Sequence, residues 1–436
     1  MTESMSTERM TAAEIVAAAK AGDLTATDVA EAIIDRYNER NADVEAFAYF
    51  DPDKIRADAK QLDAASEKGP LHGVPVALKD VINTRDMPTE HHNARYAGSR
   101  PGIDASCVDT LRAAGSLLVG KTVTTEFAAT GNGGPTKNPL DPTRTPGGSS
   151  SGSAAAVADF QAALALGTQT GGSTIRPGSF CGIYALKPTW NVVSREGLKM
   201  YSATCDTAGF YARSAADLML VADVFNLDLP ETPLPTSIEG LKVAVCQTPN
   251  WPKALPATQQ AMGDGAASLA AAGAVLTELT LDGDFLGLTD AHHKILGSEG
   301  RSAFLGEYRN NPGLLDSFKG IVENRDQLTP TAAREAYKLA DRCRAQIDDI
   351  AAQHDVILAP SSTGEAPAGI DSTGDASFNG MWTVLQVPVV NIPGHTGPAG
   401  MPVGLSFVGR RYDDRRVIAA AGLAGALWTG TRSRRH

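Results

Sequence analysis

PGGSSSGSAAAVA, Pro146 to Ala158, sets three consecutive serines between glycines and then runs into a block of alanines. By composition alone it reads as a flexible Gly/Ser linker. Its flanks argue otherwise. Upstream, NPLDPTRTP (138–146) is a stiff, proline-fixed loop. Downstream, an alanine helix would point its free N–H groups back at the serines. A linker would not be stiffened on both sides, and no other stretch of the 436 residues combines the length and composition of one. The reading is therefore one large domain, 1–436.

Working outward, short apolar runs alternate with helical patterns from Gly73 onward: VPVALK, a helix near Val108 to Ala114, SLLVG, the Ala154 to Ala158 block, and AALALGTQ. The second half repeats the theme. LKVAVC (241–246) precedes an Ala-rich helix near Ala257 to Ala272, then AVLTELTL (274–281) and a helical stretch from Thr331 to Ala352. DVILAP (355–360) and MPVGLSFVG (401–409) close the sheet. This alternation predicts an α/β fold, a mixed central sheet flanked by helices. Before it, Thr11-Ala-Ala-Glu14 and Thr25-Ala-Thr-Asp28 read as capping boxes of two N-terminal helices, about 10–40. Weakly patterned helical pieces between about 282 and 328 predict a region that covers or lines a site.

Composition excludes several classes. Lys+Arg 39 against Asp+Glu 50 gives a net charge of −11, which repels phosphate backbones and anionic lipid, so no nucleic-acid partner is expected. The one basic cluster, RSRRH at 432–436, reads as a frayed tail. No apolar run is long enough to span a membrane. The N-terminal MTESMSTERM lacks an apolar segment of signal-peptide type, which predicts a cytoplasmic protein. Five scattered cysteines without a CxxC pair suggest neither disulfides nor zinc, and His91-His92 and His292-His293 are poor chelating pairs. No metal and no cofactor are expected.

Chemistry at the serines has several candidate readings. Gly148-Ser-Ser150-Ser-Gly152 formally matches the G-x-S-x-G nucleophile elbow, but that motif needs a strand running straight into the serine, and here a Pro/Thr-rich loop precedes it. A P-loop would require lysine where Ser153 stands. No S-x-x-K occurs. Two further segments complete the constellation: LHGVPVALKDVINTRDMPT (71–89) buries Lys79 at the end of an apolar strand, and LGTQTGGSTIRPGSFCGIYALKPT (166–189) ends another strand in Gly171-Gly172-Ser173.

With these three segments, HGVP…KD, NP…R-x-PGGSS and GT-x-x-GGS…P…CG…LKPT, the chain resembles the amidase signature family over most of residues 10 to 420, most densely over about 71–189. The resemblance implies a Ser-cisSer-Lys triad: Ser173 as nucleophile, Ser149 as bridging serine after a cis peptide, Lys79 as general base, and Ser150 as a supporting residue. The residue types make chemical sense. A serine hydroxyl is a weak nucleophile until a base accepts its proton, and lysine is a base only when neutral. With an ordinary pKa of about 10.4, only about one lysine in a thousand is neutral near pH 7.5, so burial beside Val76, Ala77 and Leu78 must depress Lys79. Gly171 and Gly172 let the backbone N–H groups of Thr170, Gly171, Gly172 and Ser173 converge as an oxyanion hole.

This chain departs from the family at the support. Gln169 stands where relatives carry aspartate, and Arg176 lies one residue later than the usual arginine, whose place Ile175 takes. A neutral hydrogen-bonding arrangement would then replace an Asp–Arg ion pair, and the roles of Gln169 and Arg176 stay open.

The resemblance implies an amidase that cleaves a C–N bond through a seryl acyl-enzyme, acting on a small-molecule amide. Carbamates, ureas or biurets are alternative substrates of the same triad. An amidotransferase subunit working with a tRNA-binding partner is another alternative, and an inactive binding module a third; a homodimer is compatible with all of them. The pocket is expected from the 282–328 region, Tyr96, and the segment holding Phe378 and Trp382.

Overall fold

A computed structural model describes residues 6–227 and 233–430. The basic tail RSRRH lies outside them. Among the described residues, eleven strands form one sheet: β1 Phe47–Tyr49, β2 Pro75–Lys79, β3 Leu117–Thr122, β4 Leu164–Gln169, β5 Tyr184–Lys187, β6 Thr207–Ala212, β7 Lys242–Cys246, β8 Val275–Leu279, β9 Val356–Pro360, β10 Val389–Thr396 and β11 Pro402–Val408. Their spatial order is β1-β3-β2-β4-β6-β5-β10-β11-β9-β7-β8. The sheet is mixed as expected: β2 runs parallel to β3 and β4, whereas β4 and β6 are antiparallel.

Every apolar run read as a strand is one. The two that end the series in sequence, β9 and β11, lie inside the sheet, and its edges are β1 and β8. The local pattern does not predict β1, β5, β6 or β10. Their sequences, FAY, YALK, TAGFYA and VVNIPGHT, are either too short or too interrupted by Gly and Pro to read as strands. Tertiary pairing decides them instead: Thr207 to Ala212 find their register opposite Gln169 to Leu164.

Both N-terminal capping boxes form, on helices Ala12–Ala21 and Ala26–Val44. A helix from Ser151 to Ala158 follows the opening stretch, buried from Ser151 through Val157. A helix with no polar face has to be buried on all sides, and small residues let it pack closely. Its hydroxyls are satisfied one by one. Ser153 donates to Leu166 O on β4 (2.8 Å), and Ser151 to Val123 O (3.3 Å). The chain enters this helix through Gly147, in the left-handed region at φ +85°, and Gly148, where a Cβ would lie 2.4 Å from Thr373 Cγ2. Among the described residues, no helix is long and apolar enough to cross a membrane. Within the same limits, no group of three or more His, Cys, Asp or Glu could hold a metal ion.

Candidate active site

Parallel strands β2 and β4 end side by side, and the site is built on those two ends. Lys79, the last residue of β2, is fully buried beneath Val76, Ala77 and Leu78. Its Nζ lies 2.7 Å from Ser149 Oγ, 2.8 Å from Thr168 Oγ1 and 3.5 Å from Thr168 O. Burial holds the Lys79 ammonium well below its ordinary range, against an opposing pull from the Asp206 charge. Asp80, the next residue along the chain, pairs with Lys121 at 3.4 Å.

The Gly148–Ser149 peptide is cis. Ser149 turns its hydroxyl to Lys79, while Ser150 turns to the β4 backbone, donating to Thr168 O (3.1 Å) and accepting from Thr168 N–H (3.2 Å). Ser150 is thus fully buried and committed at both ends, which leaves the elbow assignment no free hydroxyl.

Ser173 sits half-buried where β4 has ended and the helix Ile175–Cys181 has yet to begin. Gln169 braces this turn. Its side-chain oxygen accepts from the N–H groups of Thr174 (2.9 Å) and Ile175 (3.0 Å), and its Nε2 donates to Thr383 Oγ1 (3.0 Å). Thr383 in turn donates to Gly171 O (2.7 Å). The brace is neutral throughout. Among the described residues, the N–H groups of Gly171, Gly172 and Ser173 donate to no other protein group. Two more contacts hold the turn: Tyr211 Oη donates to Ser173 O (3.1 Å), and His292 Nε2 donates to Thr170 O (2.8 Å). Burial pushes the His292 imidazole down to about 4, so the ring is neutral.

Arg176 goes elsewhere. Its guanidinium donates to Gly148 O (2.6 Å), Thr373 Oγ1 (3.1 Å) and Gly374 O (2.7 Å), tying the peptide before Ser149 to the 373–374 loop. Burial lowers it to about 10. The two departures from the family pattern therefore act separately: Gln169 holds the turn before the helix, and Arg176 holds the peptide before Ser149.

The expected pocket aromatics divide. Phe378 and Trp382 are fully buried, and Trp382 belongs to the main core, so neither presents a face to solvent. The residues of their helix, Ser377–Val384, that reach the site are polar: Thr383, and Asn379, which would touch a Cβ at Gly172. Tyr96 does meet the 282–328 region. Its hydroxyl donates to Glu307 Oε2 (2.7 Å), and its ring packs edge-on to Phe127, beside Phe304 and Phe318. A groove of about 390 Å³ runs alongside, lined by His92, Asn93, Glu126, Thr130, Asn132 and Asn311 among others. The loop that carries Glu126 and Thr130 touches the serine run, Thr125 N–H donating to Ser149 O (3.3 Å).

Thr168, Asp206, His292 and Thr383 are residues around the site that sequence reading missed, as is the side chain of Thr170, expected only for its backbone N–H. Only Thr168 and Thr170 carried a signal, being two apart at the end of a strand whose neighbour ends in the lysine.

A family model described as Amidase matches residues 28–418, taking in all the strands just described as building the site. The chain belongs to the amidase signature family, whose enzymes act on C–N bonds. Among curated relatives, a glutamyl-tRNA(Gln) amidotransferase subunit of Chloroflexus aurantiacus is 33% identical, with 92% of this chain and 93% of the relative aligned. Among solved structures, an amidase superposes with a TM-score of 0.85 at 27% identity, over 97% of this chain and 100% of that one. The peptide amidase of Stenotrophomonas maltophilia does so with a TM-score of 0.79 at 27% identity, over 98% and 97%.

Proposed function

We propose that this chain hydrolyses the C–N bond of a small-molecule amide through an acyl-enzyme on Ser173. The observation that carries the reading is the buried 2.7 Å contact between Lys79 Nζ and Ser149 Oγ, made next to a Gly-Gly-Ser turn whose amides are left free. Neutral Lys79 has two N–H bonds and one lone pair. Thr168 Oγ1 and Thr168 O take the N–H bonds, which directs the lone pair at the Ser149 hydroxyl. As Ser173 Oγ attacks the substrate carbonyl, its proton passes to Ser149 Oγ and the Ser149 proton passes to Lys79. The carbonyl oxygen gains the negative charge and is met by the N–H groups of the 170–173 turn. The relay then runs backwards: Lys79 returns the proton through Ser149 to the leaving nitrogen as the C–N bond breaks. Water repeats the sequence on the ester, releasing the acid.

Carbamates and ureas offer a comparable carbonyl to the same relay. The groove beside Tyr96 and the 282–328 helices is our choice for the substrate's entrance, and its His, Asn, Glu and Thr lining favours a polar substrate over a long apolar chain. A hydrolysis screen of aliphatic amides, anilides, carbamates and ureas, paired with fluorophosphonate labelling of the native chain and Ser173→Ala, tests the reading. Labelling that survives Ser173→Ala would sink it.

A second reading follows from the curated relatives named as glutamyl-tRNA(Gln) amidotransferase subunits: release of ammonia for a partner that binds tRNA. Gel filtration of the isolated chain with the same screen separates the two. A chain that turns over amides alone, as monomer or homodimer, supports hydrolysis; one silent until a partner is added supports transfer.

A further inference from the structure

The turn that precedes Ser173 is anchored on its far side by a carboxylate outside the triad. Thr168 and Thr170 are two residues apart at the end of β4 and so project to one face. Thr168 Oγ1 accepts from Lys79 on β2, and Thr170 Oγ1 donates to Asp206 Oδ1 at 2.6 Å. Asp206 immediately precedes β6, the antiparallel neighbour on the other side of β4, where Gln169 pairs with Thr207. A row thus crosses the strand end: Lys79, Thr168, Thr170, Asp206. The second Asp206 oxygen accepts from Tyr201 N–H (2.6 Å) and Ser202 N–H (3.0 Å). Both oxygens are satisfied by neutral donors, an unusual arrangement for a buried carboxylate.

We infer that Asp206 is a positioning residue of this site, holding the Thr170 end of the turn and supplying a negative charge that acts on Lys79 from across β4. The inference rests on the triad reading above. Among the groups facing Asp206, Lys79 and Arg195 are its cationic neighbours; Tyr201 and Cys205 are held neutral by burial and by the Asp206 charge, Glu299, which accepts from Ser202 and Thr204, is joined to it through Ser202, and neutral His292 through Thr170 O. Burial raises Asp206 to about 6, so it is ionised at neutral pH. An ionised Asp206 favours the charged form of Lys79, and the relay needs the neutral form. The carboxylate that steadies the turn therefore also moves the acid limb of activity upward in pH.

The test uses the full chain and a fluorophosphonate probe, with the second-order labelling rate of Ser173 followed across pH. Asp206→Asn removes the charge and can keep the tether, its oxygen accepting from the N–H groups of Tyr201 and Ser202 while its amide donates to Thr170 Oγ1, so its acid limb moves down by about one pH unit. Thr170→Val removes the tether, so its labelling rate on the alkaline plateau, where Asp206 is ionised, falls by about tenfold. A wild-type limb in Asp206→Asn, or a wild-type rate in Thr170→Val, overturns the inference. Circular dichroism checks both variants, and if Asp206→Asn does not fold, the Thr170→Val rate decides. Failure here is separable from failure of the triad: Ser173→Ala unlabelled with an unmoved limb rejects Asp206 alone, whereas labelled Ser173→Ala rejects the triad.

Discussion

Replacing Gln169 by leucine removes the neutral brace without touching the relay. Two buried N–H groups, of Thr174 and Ile175, lose their acceptor, and Thr383 Oγ1 loses a donor. Each orphaned buried donor costs about 1–3 kcal/mol, so with two of them the variant should be destabilised by about 2–6 kcal/mol. With an unfolding entropy of about 2 cal/mol/K per residue over this chain, the fall in Tm is about 2–7 °C. The effect on turnover should be much larger than that on stability. Freed from Gln169, the turn no longer holds its amides at one point, and losing a well-placed oxyanion donor typically costs about 10²–10³ in kcat. Gln169→Glu separates the two consequences. Its carboxyl still accepts from both N–H groups, and its protonated form still donates to Thr383. With the acceptor retained, its Tm should stay nearer that of wild type than the Tm of Gln169→Leu does, while kcat reports the group now facing Thr383. Thermal unfolding and kcat on one cleaved amide measure both. Wild-type Tm and kcat in Gln169→Leu would refute the argument that this side chain orders the turn.

Ser173→Ala should abolish acyl-enzyme formation, and Ser149→Ala should be damaging alone yet add almost nothing on top of it, as members of one relay are strongly non-additive; single-turnover assays of the three variants decide. Ser150→Ala loses two bonds to Thr168 and should cost about 1–2 kcal/mol in urea unfolding while fluorophosphonate labelling persists. Because Lys79 works only when neutral and burial lowers it, activity should rise with pH through its depressed pKa and be lost below it, which a kcat/KM profile reports. Dialysis against a strong chelator should leave turnover unchanged, because Lys79 and Ser149 supply the base; activity lost and then restored by zinc would contradict the mechanism.

What could be read in the chain beforehand follows the range of each interaction. Lys79, Ser149 and Ser173 stand in local segments whose glycines, prolines and apolar runs constrain one another over a few residues. The supports do not. Thr170 meets His292 across 122 positions, and Gln169 meets Thr383 across 214, so no local pattern links them. His292 illustrates the limit: with His293 it reads as a failed chelating pair, yet the fold buries the first and exposes the second. Asp206 was hidden by β6, whose central Gly209 interrupts the strand pattern because Thr174 packs where its Cβ would be. Phe378 and Trp382 show the opposite limit: both are large and fully buried, and side-chain type alone does not distinguish a pocket wall from the core.

The buried helix Ser151–Ala158 is fixed by hydroxyls that each return to a particular carbonyl, Ser150 and Ser153 to β4 and Ser151 to the segment after β3. A slip of one residue would leave all three without partners in a region closed to water. Ser149 begins that same run, so the proton path cannot be assembled in a partly ordered core or survive in one. The proposed proton path and this buried run are therefore expected to be lost together when this part of the core opens.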